Sequence, residues 1–179
     1  MSVSLPFYDL SQKLILLVEP NESIRRKVYA AFHQANLRLL TVATGVEALD
    51  VIHGLVIPTL AMVEINLPDM NGSELASTLA HRYHIPLILT AYHAEPSTVA
   101  ELLDHSAEDF VYKPFDEREL LARAIRLLTR PLYRSANADS YALGLKQLPN
   151  SHNNNRKARK AFLRRNTSMI RLDPAISIA

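Results

Sequence analysis

The chain has 179 residues, of which 48% are hydrophobic, so it can form a folded domain with its own core and is not disordered throughout. It contains no cysteine, which excludes disulfides, thiolate nucleophiles and cysteine-based metal sites. No apolar run approaches the roughly 20 residues of a membrane span, and residues 1–6 lack the basic and apolar regions of a secretion signal. We therefore expect a cytoplasmic protein without a membrane segment.

Charge is distributed unevenly along the chain. Residues 1–130 contain 11 Lys and Arg against 16 Asp and Glu, a net charge of −5. Residues 131–179 contain 9 Lys and Arg against 2 Asp and Glu, a net charge of +7. The two parts are therefore expected to interact differently with charged partners.

Short apolar runs alternate with stretches of helical spacing between residues 13 and 130. In the first helical stretch, Ile24, Val28 and Phe32 recur every four residues. Such alternation predicts a parallel sheet covered by helices on both faces, here the flavodoxin-like, doubly wound α/β fold with five strands and five helices. Ligands bind at the carboxyl ends of the strands in that fold. The predicted strands are 14–18, 37–42, 60–65, 86–89 and 110–112.

Helix start signals support this division of the chain. Thr44 and Glu47, and likewise Asp116 and Glu119, have the spacing of a capping box, in which each side chain of the pair satisfies a free backbone N–H. The last helix is predicted over 116–130 and ends before Pro131. We therefore assign residues 11–130 to one domain and residues 131–179 to a basic linker or tail.

The tail contains a short basic stretch at 156–165, in which six of ten residues are Lys or Arg. Such a stretch can bind nucleic acid phosphates, but it lacks a helix-turn-helix or zinc-finger pattern. The alternative is a solvated linker, or an amphipathic segment that packs Phe162 and Leu163. Both interpretations are consistent with the sequence.

Four motifs carry a resemblance to a known family. They are Leu-Leu-Val-Glu-Pro at 16–20, Leu-Pro-Asp-Met-Asn-Gly at 67–72, Thr-Ala at 90–91 and Lys-Pro-Phe at 113–115. Together they resemble the receiver domains of bacterial two-component response regulators, with their CheY-like fold. Within that family, the chain is most similar to the class that carries a winged-helix effector domain.

The resemblance implies a role for each position of the pocket. Glu64 takes the place of the aspartate that accepts the phosphoryl group, and Glu19 is the remaining acidic side chain of the pocket. Thr90 matches the switch hydroxyl, and Lys113 matches the lysine that pairs with the phosphate. Phe110 matches the aromatic residue of the fifth strand that changes rotamer.

Two departures from the family pattern decide the predicted function. Glu64 is one methylene longer than aspartate, and Pro20 stands where the family has a second acidic residue. Magnesium binds through oxygens, so the site formed by Glu19, Glu64 and the Asn66 carbonyl is weakened, and we expect no bound cofactor. Glu64 is expected to pair with Lys113. It then either partly mimics the phosphorylated state or only holds an inactive pocket together.

Four charged residues match positions at which the winged-helix class forms symmetric dimers through its fourth helix, fifth strand and fifth helix. They are Asp109, Glu119, Arg123 and Arg130. Two-fold symmetry suits an isologous contact in which Asp109 of one subunit meets Arg123 of the other. The alternative is a set of solvated helix charges, each of which contributes little. The predicted partner of this surface is a second copy or another signalling protein.

These observations predict an atypical receiver domain that is not an enzyme and acts without phosphorylation. It would work through protein–protein contact or dimerisation in signal transduction or transcription control. One alternative is a truncated winged-helix regulator whose receiver dimerises and whose tail contacts DNA, because residues 170–174 weakly resemble the first strand of such an effector domain. Another alternative keeps residual autophosphorylation with magnesium.

Overall fold

The structure, a computed structural model, describes residues 10–54 and 56–130, and the predicted tail at 131–179 lies outside these residues. Within them, five strands alternate with five helices, as predicted. No helix in this part of the chain has the length and apolar character needed to cross a membrane. The strands are β1 (Leu14–Val18), β2 (Arg38–Val42), β3 (Leu60–Glu64), β4 (Leu87–Ala91) and β5 (Asp109–Tyr112); the helices are α1 (Glu22–Gln34), α2 (Gly45–His53), α3 (Gly72–Tyr83), α4 (Pro96–His105) and α5 (Glu117–Leu128).

All five strands are parallel and lie in the order β2-β1-β3-β4-β5. Successive side chains of β1 face opposite layers. Leu16 and Val18 pack into a core with α2, α3 and α4, whereas Ile15 and Leu17 pack into a second core with α1 and α5. Burial on both faces explains why the strands read as nearly continuous apolar runs. The predicted flavodoxin-like fold is confirmed.

Strand boundaries differ from the predictions by one or two residues. The sequence placed the end of the fourth strand at Leu89, but β4 continues through Thr90 to Ala91. Similarly, β5 begins at Asp109, which pairs with Ile88 in the ladder. The predictions stopped at the last apolar residue, whereas the ladder is made by backbone groups, which polar residues also supply.

The two predicted capping boxes each contain one of the two expected hydrogen bonds. The Thr44 hydroxyl accepts from the backbone N–H of Glu47 at 3.2 Å, and the Asp116 carboxylate accepts from a backbone N–H in the first turn of α5. The Glu47 carboxylate reaches past Thr44 to the N–H of Ala43 at 2.7 Å. Glu119 bonds an arginine one turn later instead of the N–H of Asp116. Each helix start is therefore capped, but not reciprocally.

The loop between β3 and α3 folds back closely on the end of β3. The backbone N–H of Gly72 donates to the carbonyl of Ile65 at 2.8 Å. A Cβ at position 72 would overlap the carbonyl oxygen of Glu64 and lie 2.7 Å from the Cα of Ile65. Only glycine permits this approach, which fixes the start of α3 against the strand end that carries Glu64.

Asp69 links the same loop to the start of α2. Its Oδ1 accepts from the N–H of Gly45 at 3.0 Å, and its Oδ2 accepts from the N–H of Val46 at 2.8 Å. These are two of the free N–H groups of a helix first turn. Desolvation raises the pKa of Asp69, but hydrogen bonds from Gly45, Val46 and the loop backbone outweigh it, and the pKa is lowered.

We predict that Asp69→Ala lowers the free energy of unfolding by about 1 kcal/mol at neutral pH, as loss of helix-capping contacts does. Because the folded-state pKa is lowered, this contribution is present above the unfolded-state pKa near 3.8 and is lost as pH falls through the folded-state value. Urea denaturation at neutral and acidic pH measures the effect. Asp50→Ala, which removes an exposed α2 carboxylate that has no side-chain partner among the described residues, is the control. An equal effect of both substitutions would contradict the prediction.

Candidate functional site

Four buried polar or charged side chains of the described residues all lie at the carboxyl edge of the sheet. They are Glu19, Glu64, Thr90 and Lys113. Glu19 follows β1 and Lys113 follows β5, whereas Glu64 ends β3 and pairs in register with Thr90 of β4. Because parallel strands end at the same edge, the topology brings these four sequence-predicted residues together.

Lys113 joins the two carboxylates. Its Nζ donates a hydrogen bond to Glu19 Oε2 and lies 2.5 Å from Glu64 Oε2. The three side chains are 2–4% exposed. Two negative charges therefore enclose one positive charge, and the ion pairs replace the water that burial removes. The expected pairing of Glu64 with Lys113 is present.

The remaining carboxylate oxygens are also occupied by donors from the chain. Glu19 Oε1 accepts from the backbone N–H of Asn21 at 2.8 Å, and Glu64 Oε1 accepts from the backbone N–H of Asn66 at 2.9 Å. The Thr90 hydroxyl donates to Glu64 Oε2 at 3.2 Å. In the part of the chain that the structure describes, no buried side-chain nitrogen or oxygen lacks a partner. The pocket is thus satisfied without any added group.

A second cation holds the loop that follows β1. The Arg25 Nη1 donates to the carbonyl oxygens of Glu19 at 2.6 Å and of Pro20 at 2.7 Å. Pro20 brings no carboxylate to the pocket, and its carbonyl is engaged by Arg25 instead. Sequence reasoning missed Arg25; its position, one turn into α1, was the available signal because a long basic side chain there can reach back to the loop.

The donors of this pocket do not fit the magnesium ion of the family. Magnesium needs an octahedral set of oxygens and keeps several waters. Here the Lys113 ammonium takes the shared position between Glu19 and Glu64, Pro20 supplies no ligand, and Asn66 turns N–H groups toward Glu64. Within residues 10–54 and 56–130, no three His, Asp or Glu side chains are grouped to hold a metal ion.

Aromatic residues lie on β5 and directly after β4. Phe110 is partly buried and packs edge to face against Tyr112, with ring centroids 4.9 Å apart. The Tyr92 ring lies 5.3 Å from the Lys113 Nζ, within the range of a cation–π contact. Sequence reasoning missed Tyr92, although an aromatic residue directly after the Thr-Ala pair was a visible signal. Tyr92, which is half exposed, thus contacts the Lys113 ammonium from outside the group of four buried residues.

The predicted dimer residues lie on β5 and on or just after α5. Asp109 Oδ2 accepts from Arg123 at 2.9 Å and from Arg126 at 2.8 Å, and Arg123 also pairs with Glu119 at 2.7 Å. The hydrogen bonds that Arg123 donates to Glu119, and secondly to Asp109, raise the pKa of Arg123. Arg130 is exposed. The Asp109–Arg123 pair that was expected between subunits is thus formed within one chain, and Arg126 is a member that sequence reasoning missed.

Known proteins resemble this chain over about two thirds of its length. It is 30% identical over 122 residues to a probable transcriptional regulator, ycf27, of Cyanophora paradoxa, covering 68% of this chain and 51% of that protein. It is 29% identical over 115 residues to the heme response regulator HssR of Staphylococcus epidermidis, covering 64% and 51%. A CheY-like receiver domain protein from Methanospirillum hungatei matches with a TM-score of 0.60 and 26% identity, over 65% of this chain and 93% of that chain.

The chain spans about half the length of these curated relatives. The family match is confined to the described domain, because residues 15–125 match the response regulator receiver domain. This range is more than half of the 179 residues. The chain therefore belongs to the response regulator receiver domain family.

Proposed function

We propose that this receiver domain acts in the cytoplasm without being phosphorylated and without catalysis. It would signal by contact of its α4–β5–α5 face, the surface formed by those three elements, with a second copy or another signalling protein. One observation carries the proposal. The Lys113 ammonium bridges the buried carboxylates of Glu19 and Glu64 and closes the pocket in which phosphorylation would take place.

Phosphoryl transfer to a carboxylate requires a free nucleophilic oxygen and cations that offset the charge of the incoming group. Both oxygens of Glu64 already accept hydrogen bonds, from Asn66 and Thr90. The ammonium of Lys113 is shared between Glu64 and Glu19, so two carboxylates divide one positive charge. Further negative charge in this buried space would be opposed by both carboxylates.

We predict that the protein gains no phosphoryl group when it is incubated with an acyl phosphate and Mg²⁺. The variant Glu19→Asp/Pro20→Asp/Glu64→Asp should gain one, because shorter carboxylates withdraw from Lys113 and a third can join them around a metal ion. Intact-mass spectrometry measures the product, and thermal unfolding confirms that the variant is folded. Phosphorylation of the unaltered protein at Glu64 would refute the proposal.

Two contacts of Glu64 support the proposal that this side chain keeps the receiver in its active state. Glu64 Oε2 receives the hydroxyl of Thr90 and the ammonium of Lys113. These are the two groups that the family resemblance assigns to the phosphate. The extra methylene lets a glutamate carry its charge to them, since the strand register places Thr90 opposite Glu64. In this proposal, Glu64 supplies permanently a charge that phosphorylation would supply transiently.

Glu64→Ala should convert a wild-type dimer into a monomer, because Thr90 loses its acceptor and Lys113 then pairs with Glu19 alone. Light scattering measures the solution mass, and Glu74→Ala, which removes an exposed carboxylate of α3, is the matched control. Equal masses for the wild type and Glu64→Ala would show that Glu64 is not the switch. Two monomers would then favour docking to another protein, and two dimers would favour an interface built independently of the pocket.

The charges of α5 bear on how such a dimer would form. Asp109, Glu119 and Arg123 already pair within the chain, so an isologous contact would exchange existing pairs rather than add new ones. The Glu119–Arg123 pair is largely solvent-exposed and would contribute little net free energy, and the Asp109–Arg123 pair is partly buried. They would set the register and selectivity of the contact more than its affinity.

A second candidate function is a DNA-binding regulator in which the receiver dimerises and the basic residues after position 130 contact DNA. Two observations favour it: the net charge of +7 in residues 131–179, and the description of one relative as a probable transcriptional regulator. The basic stretch has no recognised base-contacting motif, so its Lys and Arg side chains would contact DNA phosphates. Such contacts give affinity without sequence preference.

For this candidate, the full chain should bind duplex DNA at low salt, without sequence preference, and lose binding steeply as salt rises. Arg164→Ala/Arg165→Ala should weaken binding and flatten the salt dependence, whereas Arg26→Ala on α1 should leave both unchanged. Fluorescence anisotropy measures the affinity. If the chain does not bind DNA at low salt, this candidate is removed.

A further inference from the structure

The chain from residue 83 to residue 112 carries five carboxylates and no Lys or Arg. Two of these carboxylates have partners, because Asp109 binds arginines of α5 and Glu108 accepts from the first N–H of β4 at 2.7 Å. The other three belong to Glu95, Glu101 and Asp104, which are exposed and have no side-chain hydrogen bond or ion pair within the described residues. Helix α4 and its N-cap therefore present uncompensated negative charge.

Exposed apolar side chains are concentrated in the same stretch. Of the four exposed large hydrophobic residues in the described part, three are Tyr92, Leu103 and Tyr112, with exposures of 50, 40 and 49%. Tyr92 and Tyr112 also line, with Glu95, a cavity of about 490 Å³. Scattered exposed apolar residues need no explanation, but two exposed tyrosines that line one cavity with Glu95, and an exposed leucine on the adjacent acidic helix, indicate an interaction surface.

We propose that segment 156–165 of the same chain docks on this surface. The segment contains six Lys and Arg, no acidic residue, and the adjacent apolar pair Phe162 and Leu163. Its cations match the unpaired carboxylates, its apolar pair matches the exposed apolar side chains, and Lys or Arg can also pack on tyrosine rings. We name the surface the α4 face and define it by Tyr92, Glu95, Glu101, Leu103, Asp104 and Tyr112.

The covalent connection is long enough for this contact. Arg130 and Arg156 are separated by 25 residues, and a connection of that length spans at most roughly 90 Å. A domain of about 120 residues has a radius of gyration of roughly 14 Å. The segment can therefore reach any part of the domain surface, and its charge and its apolar pair favour the α4 face.

Charge favours residues 156–165 over nucleic acid or a second copy of the domain as the ligand of the α4 face. The negative α4 face would repel nucleic acid phosphates. An isologous contact centred on α4 would bring two acidic faces together, which like charges oppose. The proposed dimer would therefore have to centre on β5 and α5, where the charges are already paired. The tethered basic segment meets the α4 face at an effective concentration on the order of mM, so a weak intrinsic affinity is sufficient.

Docking would cover the α4 side of the α4–β5–α5 face to which the proposed function assigns partner binding. In that respect the inference rests on the proposed function, because covering the face regulates a partner only if one binds there. Docking itself does not depend on the chemistry of the pocket. A measurement of docking therefore remains interpretable if the proposed function fails.

The chain has no cysteine, so Ala161→Cys in the full-length protein accepts a single nitroxide label within the segment. Amide NMR signals of residues 92–105 and of Tyr112 should lose more than half of their intensity relative to the reduced label. Signals of β2, which lies four strand spacings from β5, roughly 19 Å away, should lose least.

Charge reversal separates docking on the α4 face from random collision. Glu101→Lys/Asp104→Lys should abolish the intensity loss, whereas Asp50→Lys/Glu74→Lys, the same charge change on exposed positions of α2 and α3, should keep it. In 1 M salt, where the Debye length is about 3 Å, the loss should also decrease in the unaltered sequence. If Glu101→Lys/Asp104→Lys does not fold, the comparison of low and high salt in the unaltered sequence tests whether docking depends on charge.

Several results would overturn the inference. They are no intensity loss, a loss spread evenly over the domain, or an equal response of the two charge-reversal variants. A mixture of isotope-labelled chain without the nitroxide and unlabelled chain with it tests for a second copy. Intensity loss in that mixture would show that the segment docks on another molecule instead of its own.

Discussion

The buried ammonium of Lys113 is the constraint on which the rest of this domain depends. It lies between Glu19 after β1 and Glu64 at the end of β3, so one side chain from the end of β5 joins the ends of three strands. None of these three charges could be buried alone, since an unpaired buried charge costs several kcal/mol. Strand order, strand ends and the pocket are therefore parts of one arrangement.

Compared with the aspartate that the family resemblance implies at position 64, Glu64 is one methylene longer, and its carboxylate contacts Thr90 and Lys113. Pro20 contributes no carboxylate, so Glu19 and Glu64 are the two carboxylates around the ammonium. The apolar packing of the strands and the helix caps do not depend on these two side chains. The receiver fold therefore forms with this pocket as it does in the family.

The elements of the fold follow from the sequence because apolar runs and helix caps are local signals. Strand ends were misplaced where Thr90 and Asp109 continue the ladder, since backbone pairing does not register in an apolar pattern. The pairing of Glu64 with Lys113 was predicted from the family resemblance and not from the residue pattern alone. The contacts of Arg25 and Asp69 were not predicted, because they depend on loop conformations that the spacing of apolar residues does not reveal.

A pocket closed by its own lysine has consequences for where a signal can enter. Both oxygens of Glu64 and both oxygens of Glu19 already have donors within the chain, so a small ligand would have to compete with these contacts. The α4 face, in contrast, presents the carboxylates of Glu95, Glu101 and Asp104 to solvent. A basic segment held there by charge is released by salt, by a competing acidic surface or by a polyanion. DNA binding by residues 156–165 and docking of the same residues on the α4 face would then exclude each other. The two contacts would be alternative states of one segment.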